Sequence, residues 1–230
     1  MLKYDLHIHS CLSPCADEDM TPNNIAGMAF LAGLSVAAVC DHNSADNAKA
    51  VKKACENYGI KYIWGAEICS SEEIHILCYF KEENQLSAFC KIVEDSSFKF
   101  PNDTSVYGTQ YITDEEDNIT GQKDWLLINA CGLSCYEVIN LCREHNGVSF
   151  WAHIDKQSFS VISVLGAIPP DIEADGVEIY NLDNRSDLIQ KGFITSDTPY
   201  MSNSDAHSLE FIGAKENYLP NNHPLLKLIG

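Results

Sequence analysis

Ser35-Val36-Ala37-Ala38-Val39-Cys40-Asp41-His42 is the stretch that decides the fold. Its first part is short, apolar and flanked by valines, as a strand buried on both faces requires. It then changes character abruptly, into an aspartate and a histidine. Gly33 stands just before it and ends a helical pattern on Ile25, Met28, Ala29 and Ala32. That helix opens with Thr21 as cap and Pro22 at the first helical position, and the glycine is its natural stop.

Working outward, the same alternation recurs. Residues 3–6 form a short strand running into His7. Ser44 caps a helix to about Tyr58, with Gly59 as its stop. Residues 60–66 and 74–80 read as strands, and residues 85–94 as a helix. Residues 96–124 are polar and lack apolar periodicity, so they read as an inserted segment, with a hairpin over 110–122 turning at Glu116-Asp117-Asn118. Ser134 and Glu137 make a capping box for a helix ending at Gly147. Residues 148–152, 176–180 and 200–204 complete the strands. Strands alternating with helices predict an α/β fold built on a parallel sheet or barrel, as one domain over residues 1–230 with an insertion at about 96–124.

Composition fits this. The chain has 230 residues, 45% hydrophobic and 21% charged, ordinary for a globular domain. No apolar run reaches the ~18–20 residues of a membrane span. Residues 1–6 are too polar for a signal peptide, so a cytoplasmic location is expected. The net charge is −18, with 33 acids against 15 bases, which argues against stable binding of duplex nucleic acid. A nucleotide substrate is still compatible, because bound cations reverse the local field. The 10 cysteines include Cys11/Cys15 and Cys131/Cys135 at metal-compatible spacing. No CxxC pair is present, and reduced core thiols are the expectation.

The chemistry-bearing residues fall in one kind of place. His7 and His9 follow the first strand, Asp41 and His42 the second, and Glu67 the third. His153 follows residues 148–152, while Asp205 and His207 follow residues 200–204. In a parallel α/β fold the chemistry gathers at such strand ends. His75 sits instead at a strand start, and Asp17 lies in an acidic loop with Glu18 and Asp19. Taken singly, each has an ordinary explanation: a core histidine, a turn aspartate, a solvated acid. Taken together and in order, they form a donor set of imidazole and carboxylate that suits Zn, Mn or Fe better than Mg or Ca. That many residues are too many for one ion and enough for two or three. His145 and His223 read as surface residues.

These residues resemble the PHP (polymerase and histidinol phosphatase) family, in its stand-alone metal-dependent phosphoesterase branch. The likeness runs through Asp5-Leu6-His7-Ile8-His9-Ser10, Cys40-Asp41-His42-Asn43-Ser44, Gly65-Ala66-Glu67, Glu73-Ile74-His75-Ile76, Ala152-His153 and Ser204-Asp205-Ala206-His207. The resemblance implies a distorted seven-stranded TIM-like β/α barrel with a trinuclear site. It places one ion at His7, His9, Glu67 and Asp205, and a second at Glu67, His75 and His153. A third would sit at Asp17, His42 and His207, Asp17 being chosen by its spacing to Thr21-Pro22. Asp41 would orient a ligand.

The implied activity is hydrolysis of a phosphomonoester or nucleotide phosphate by metal-activated hydroxide. Glu67 and Asp205 would be the catalytic carboxylates, and no serine or cysteine nucleophile is needed. Candidate substrates are a 3′,5′-nucleoside bisphosphate or a short RNA. A histidinol-phosphate-like metabolite, phosphotyrosine, or a catalytically silent metal-binding module are the competing expectations. Lys156 and Arg185, each just past a strand end, are the expected phosphate-binding side chains.

Overall fold

A computed structural model describes residues 2–229. The elements run β1 (Leu2–Ile8), α1 (Pro22–Leu31), β2 (Val36–Val39), α2 (Ala48–Asn57), β3 (Lys61–Tyr62), β4 (Trp64–Cys69) and β5 (His75–Phe80). They continue through α3 (Glu83–Ser96), α4 (Thr104–Tyr107), β6 (Gln110–Thr113), β7 (Ile119–Lys123), α5 (Cys135–Glu144) and β8 (Val148–Trp151). The last are α6 (Val161–Leu165), β9 (Gly176–Glu178), α7 (Arg185–Gln190), β10 (Tyr200–Met201) and β11 (Tyr218–Leu219). No helix among the described residues is long and apolar enough to cross a membrane.

The fold is mixed α/β. One sheet has the order β11-β1-β2-β3, a second β10-β9-β8-β5-β4, and β6-β7 is a separate hairpin. Among the described residues there is no continuous closed ladder of the seven-stranded barrel expected from sequence. The two sheets meet instead at isolated parallel bridges, Ile8 with Ala206 and His42 with Glu67. The expectation of an all-parallel sheet is also corrected: β5 runs antiparallel to both β4 and β8. The five residues between β4 and β5, 70–74, are too few for the crossover a parallel pair needs.

Residues 60–66 are not one strand. β3 pairs with β2, and Ile63 N–H still donates to Ala37 O at 3.0 Å. From Trp64 onward the chain pairs with β5. An unbroken apolar run hides this change of sheet, because both sheets bury it. The expected Ser44 cap is likewise replaced: Ser44 Oγ donates to Asp46, and Asn47 occupies the cap position of α2. The Ser134–Glu137 capping box of α5 is present as expected.

Packing follows strand parity. Tyr4, Leu6, Val36, Ala38, Cys40, Leu77, Tyr79, Val148, Phe150 and Met201 share one central cluster between the sheets. Their neighbours in sequence, such as Ala37 and Val39, pack outward under α1 and α2. Ile76, Cys78, Phe80 and Trp151 pack outward under α3 and α5. The interior is narrow. A Cβ on Gly65 would lie 2.6 Å from Cys40 Sγ, and one on Gly176 would lie 2.5 Å from both Phe150 Cε1 and Pro199 O.

Candidate metal centre

The inward parity of the strands carries the donors to one end. In β2 the inward series Val36, Ala38, Cys40 continues to His42. In β5, His75 precedes the inward residues Leu77 and Tyr79. β1 needs a correction of phase. Its register with β2 shifts between Asp5 and Ile8, and the inward series Tyr4, Leu6 gives way to an outward Ile8 packed under α1. An irregularity of this kind re-aims side chains. It leaves both His7 and His9 facing the centre.

Glu67 is the hub. Its Oε1 lies 3.0 Å from His75 Nδ1, 3.1 Å from His153 Nε2 and 3.4 Å from His7 Nε2. Its Oε2 lies 3.2 Å from His42 Nδ1 and 3.5 Å from His9 Nε2. Asp205 Oδ1 is 3.3 Å from both His7 Nε2 and His9 Nε2. Two donors each about 2.1 Å from one ion stand roughly 3.0 Å apart at a right angle and roughly 3.4 Å at the tetrahedral angle. The observed separations match that range. His7 Nε2, His9 Nε2 and His42 Nδ1 are buried without a hydrogen-bond partner, as are one further nitrogen each of His75 and His153. Orphaned imidazoles facing carboxylates at ligand-to-ligand distances fit divalent ions.

Surrounding groups fix the tautomers. His7 Nδ1 faces both oxygens of Glu178 at 3.1 Å, which leaves Nε2 free for an ion. Glu178 also accepts from His153 N–H at 2.9 Å and Asn203 Nδ2 at 2.8 Å. Asp41 accepts from Ser10 N–H, Ser10 Oγ and Ser13 Oγ. Ser13 Oγ in turn accepts from His9 Nδ1 at 3.1 Å. Asp41 therefore orients His9 through Ser13. His153 and Asp205 sit at φ 28° and 54°, a sparsely populated region for side-chain-bearing residues and typical of functional sites.

Electrostatics follow from burial and charge. Desolvation would raise the Glu67 carboxyl, but His75 and His7 hold it well below the usual range. Asp205 is held down in the same way by His7 and His9. Desolvation and the neighbouring His207 push His9 down to about 4, and desolvation with His9 nearby pushes His42 well down. His7 goes the other way. Desolvation opposes its charge, but Glu178, Asp205 and Glu67 outweigh it and raise it.

Other expected residues separate into two groups. Lys156 Nζ donates to Asp205 Oδ2 and lies 4.5 Å over the Tyr180 ring. Desolvation lowers its ammonium, yet Asp205 prevails and raises it. Arg185 is not brought to the centre. Its guanidinium donates to Ser196 O and stacks on Tyr200 at the other end of β10, which corrects the expectation that it faces the same rim. Asp17 is exposed, and its N–H donates to His207 O at 2.8 Å. It is absent from the donor groups whose atoms converge within 4.8 Å, whereas Cys15 is present with His9, His42 and His207. Cys15 is the exposed cysteine; the others are buried core thiols, and all are free. His223, expected at the surface, is buried and stacked on Phe150. His145 is half-buried and bonds Leu141 O at 2.9 Å.

Glu178 escaped the sequence reading, although the same strand-end rule points to it. The hairpin β6-β7 braces the loop after β1: Tyr111 N–H donates to Cys11 O, and Asn47 Nδ2 to Tyr111 O. Two clefts open on the centre. One, of about 170 Å³, is lined by donors together with Ile128, Lys156 and Phe159. The other, of about 360 Å³, is lined by Cys15, Asp17, Lys156, Tyr180, Asp205 and Phe211, among others.

Fold and donor set define the class first: an α/β protein with a buried histidine–carboxylate centre suited to divalent metals. The PHP domain profile matches residues 5–156, and the chain belongs to that family of metal-dependent phosphoesterases. A 5′-3′ exoribonuclease of Haemophilus influenzae is 36% identical over 78 residues, covering 33% of this chain and 27% of the relative. The match thus spans about a quarter of that relative's length. The lesion-specific endonuclease Q of Pyrococcus furiosus superposes with TM-score 0.59 at 21% identity, over 90% of this chain and 49% of that one. A protein of Bifidobacterium adolescentis assigned as a metal-dependent phosphoesterase superposes with TM-score 0.59 at 19% identity, over 96% and 91%. At such identities the two structures speak to fold.

Proposed function

We propose that this chain is a metal-dependent phosphoric ester hydrolase acting on a phosphomonoester or nucleotide phosphate, with a nucleoside 3′,5′-bisphosphate or short RNA as the favoured substrate class. The observation that carries this is Glu67, one buried carboxylate approached by nitrogens of five histidines at 3.0–3.5 Å. Two or three ions of Zn, Mn or Fe would be held by His7, His9, His42, Glu67, His75, His153, Asp205 and His207, with a loop residue completing the set. Asp17 is the loop residue the family pattern suggests. When bound, such ions supply a hydroxide nucleophile near neutral pH and neutralise phosphoryl charge. The two bridges between the sheets support taking the seven strands β1, β2, β4, β5, β8, β9 and β10 as an interrupted, distorted barrel.

The chain's own groups do the rest. Glu178 and the Asp41–Ser13 relay hold His7 and His9 with one nitrogen facing inward. Asp205, held ionised beside Lys156, is our assignment for the base that takes the proton of the attacking water and then delivers it to the leaving oxygen. Lys156, a third exposed and lining both clefts, is placed for its ammonium to be shared between Asp205 and a bound phosphate. Exposed Phe211 in the neighbouring cleft offers a face on which a base can stack. The exoribonuclease relative favours a nucleotide over a small metabolite, and the acidic surface favours a short single strand over duplex.

The test is a phosphoester panel containing nucleoside bisphosphates, short RNA, duplex DNA, histidinol phosphate and phosphotyrosine. Each is assayed after EDTA treatment and with Zn, Mn or Fe restored. Hydrolysis should require metal and be lost in Glu67→Gln. A folded Glu67→Gln variant with full activity would overturn the site.

A further inference from the structure

We propose that Cys15 Sγ, rather than the Asp17 carboxylate, is the loop ligand at the third metal position, beside His42 and His207. The inference rests on the metal-binding reading above and adds a thiolate to an otherwise histidine–carboxylate centre.

Cys15 Sγ and one nitrogen each of His9, His42 and His207 all lie within 4.8 Å of one another. Two of those imidazoles point independently to a missing ligand. His9 and His42 are 0% and 3% exposed, and His9 Nε2 and His42 Nδ1 have no hydrogen-bond partner. The ring centroids of His9 stand 4.6 Å from His42 and 4.3 Å from His207, so the rings surround one point. His9 Nδ1 is already bonded to Ser13, so His9 has a single nitrogen to give. That nitrogen also faces Asp205 and Glu67. If it serves the ion held with His7, the third position retains Cys15, His42 and His207 plus an open site. Three protein ligands with an open position is the arrangement of catalytic zinc.

The loop is built to keep Cys15 there. Leu12 and Met20 anchor its two ends in the core. Cys11 N–H donates to Met20 O, Ala16 N–H to Ser13 O, and Asp17 N–H to His207 O. This last bond ties the backbone of residue 17 beside His207, while the Asp17 side chain lies outside the converging donor atoms among the described residues. A thiolate also changes which ions are held. Soft sulfur favours zinc, and hard-oxygen ions such as manganese lose an oxygen donor at that position.

The test is a cobalt(II) titration of the EDTA-stripped full chain under a non-thiol reductant, following bound metal and the near-ultraviolet thiolate-to-cobalt charge-transfer band. The native chain should develop that band on filling. Cys15→Ser should lose the band and about one equivalent of cobalt, and Asp17→Asn should keep both. Cys15→Asp should recover the equivalent without the band. Circular dichroism of the stripped variants should match the native chain, since Cys15 is exposed. Full cobalt loading without the band, or a band that survives Cys15→Ser, would overturn the thiolate while leaving the phosphoesterase centre standing. Loss of the equivalent in Asp17→Asn alone would return the position to Asp17. A chain that binds no cobalt would overturn both.

Discussion

Glu178→Gln is the sharpest test of how the centre is held. The side chain is fully buried, and both oxygens are already used by donors. Oε1 meets His7 Nδ1 at 3.1 Å and Asn203 Nδ2 at 2.8 Å; Oε2 meets His7 Nδ1 at 3.1 Å and His153 N–H at 2.9 Å. An amide nitrogen at either place would face a donor. The backbone N–H of His153 cannot turn into an acceptor. Asn203 is equally committed, because its Oδ1 accepts Leu6 N–H at 2.9 Å. One buried donor pair is therefore left unmade, at a cost of about 1–3 kcal/mol. The imidazole of His7 also loses the carboxylate that keeps Nε2 bare, a change that typically weakens metal affinity about 10- to 100-fold. The assay is a competitive-chelator titration with zinc, alongside kcat measured at saturating and limiting metal. The apparent metal dissociation constant should rise by about that factor, while saturating metal restores most of kcat. A folded variant with zinc affinity unchanged within about twofold would refute the idea that Glu178 acts through His7.

Three other outcomes follow from the same geometry. Lys156→Ala should raise KM for a bisphosphate by about tenfold or more, as loss of a charge-assisted hydrogen bond would, and less for a monophosphate; equal effects on both would remove Lys156 from phosphate binding. Gly176→Ala places a Cβ 2.5 Å from Pro199 O, whose carbonyl accepts Val177 N–H at 3.0 Å, so it should cost about 1–3 kcal/mol in a denaturant melt and weaken metal binding by displacing Glu178. The metal-stripped chain should lose stability as pH falls from 6.5. An unfolded His9 takes its proton near 6.5 and the folded one near 4, so the unfolded state binds more protons in between, worth about 2 kcal/mol by pH 5 from His9 alone. His42 shifts in the same direction. The raised His7 has the opposite sign, but its stabilisation is already complete below 6.5 and does not offset the loss. A melting temperature flat from pH 7 to pH 5 would contradict this.

Much of the centre was legible because ligand positions and core positions obey one rule. A strand that buries alternate residues and ends at a polar rim must carry its next inward residue into that rim. His42 after Val36, Ala38 and Cys40 is the plain case. Glu178 is hidden for a physical reason: the sequence predicts a strand over residues 176–180 with Glu178 in its middle, but the ladder ends at Glu178 itself. Cys15 was absorbed into the expectation of core thiols, which holds for the other cysteines. Its exposure depends on a loop fold that no periodicity encodes. Arg185 was misplaced because a position just past a strand does not fix where a long side chain goes. Here Tyr200 and the Ser196 carbonyl draw it away.

His75 was the exception to the strand-end pattern, and the topology turns it into support for it. With only residues 70–74 between β4 and β5, the second strand must return antiparallel. The first residue of β5 then stands opposite the last of β4, His75 against Cys69 in register. β8 reverses direction once more, so His153 just past its end and His75 at the start of β5 reach the same rim. The governing quantity is therefore not the carboxyl end of a strand but the edge of the sheet that faces the centre. A donor is expected wherever an inward-parity position meets that edge, whichever way the chain runs; His153, one residue past the inward Ala152, is out of phase and sits at φ 28° where the strand has ended. Glu67 meets the condition two pairs inside the edge, opposite Leu77, and that depth is what lets one carboxylate reach the imidazoles of His7, His9, His42, His75 and His153 together.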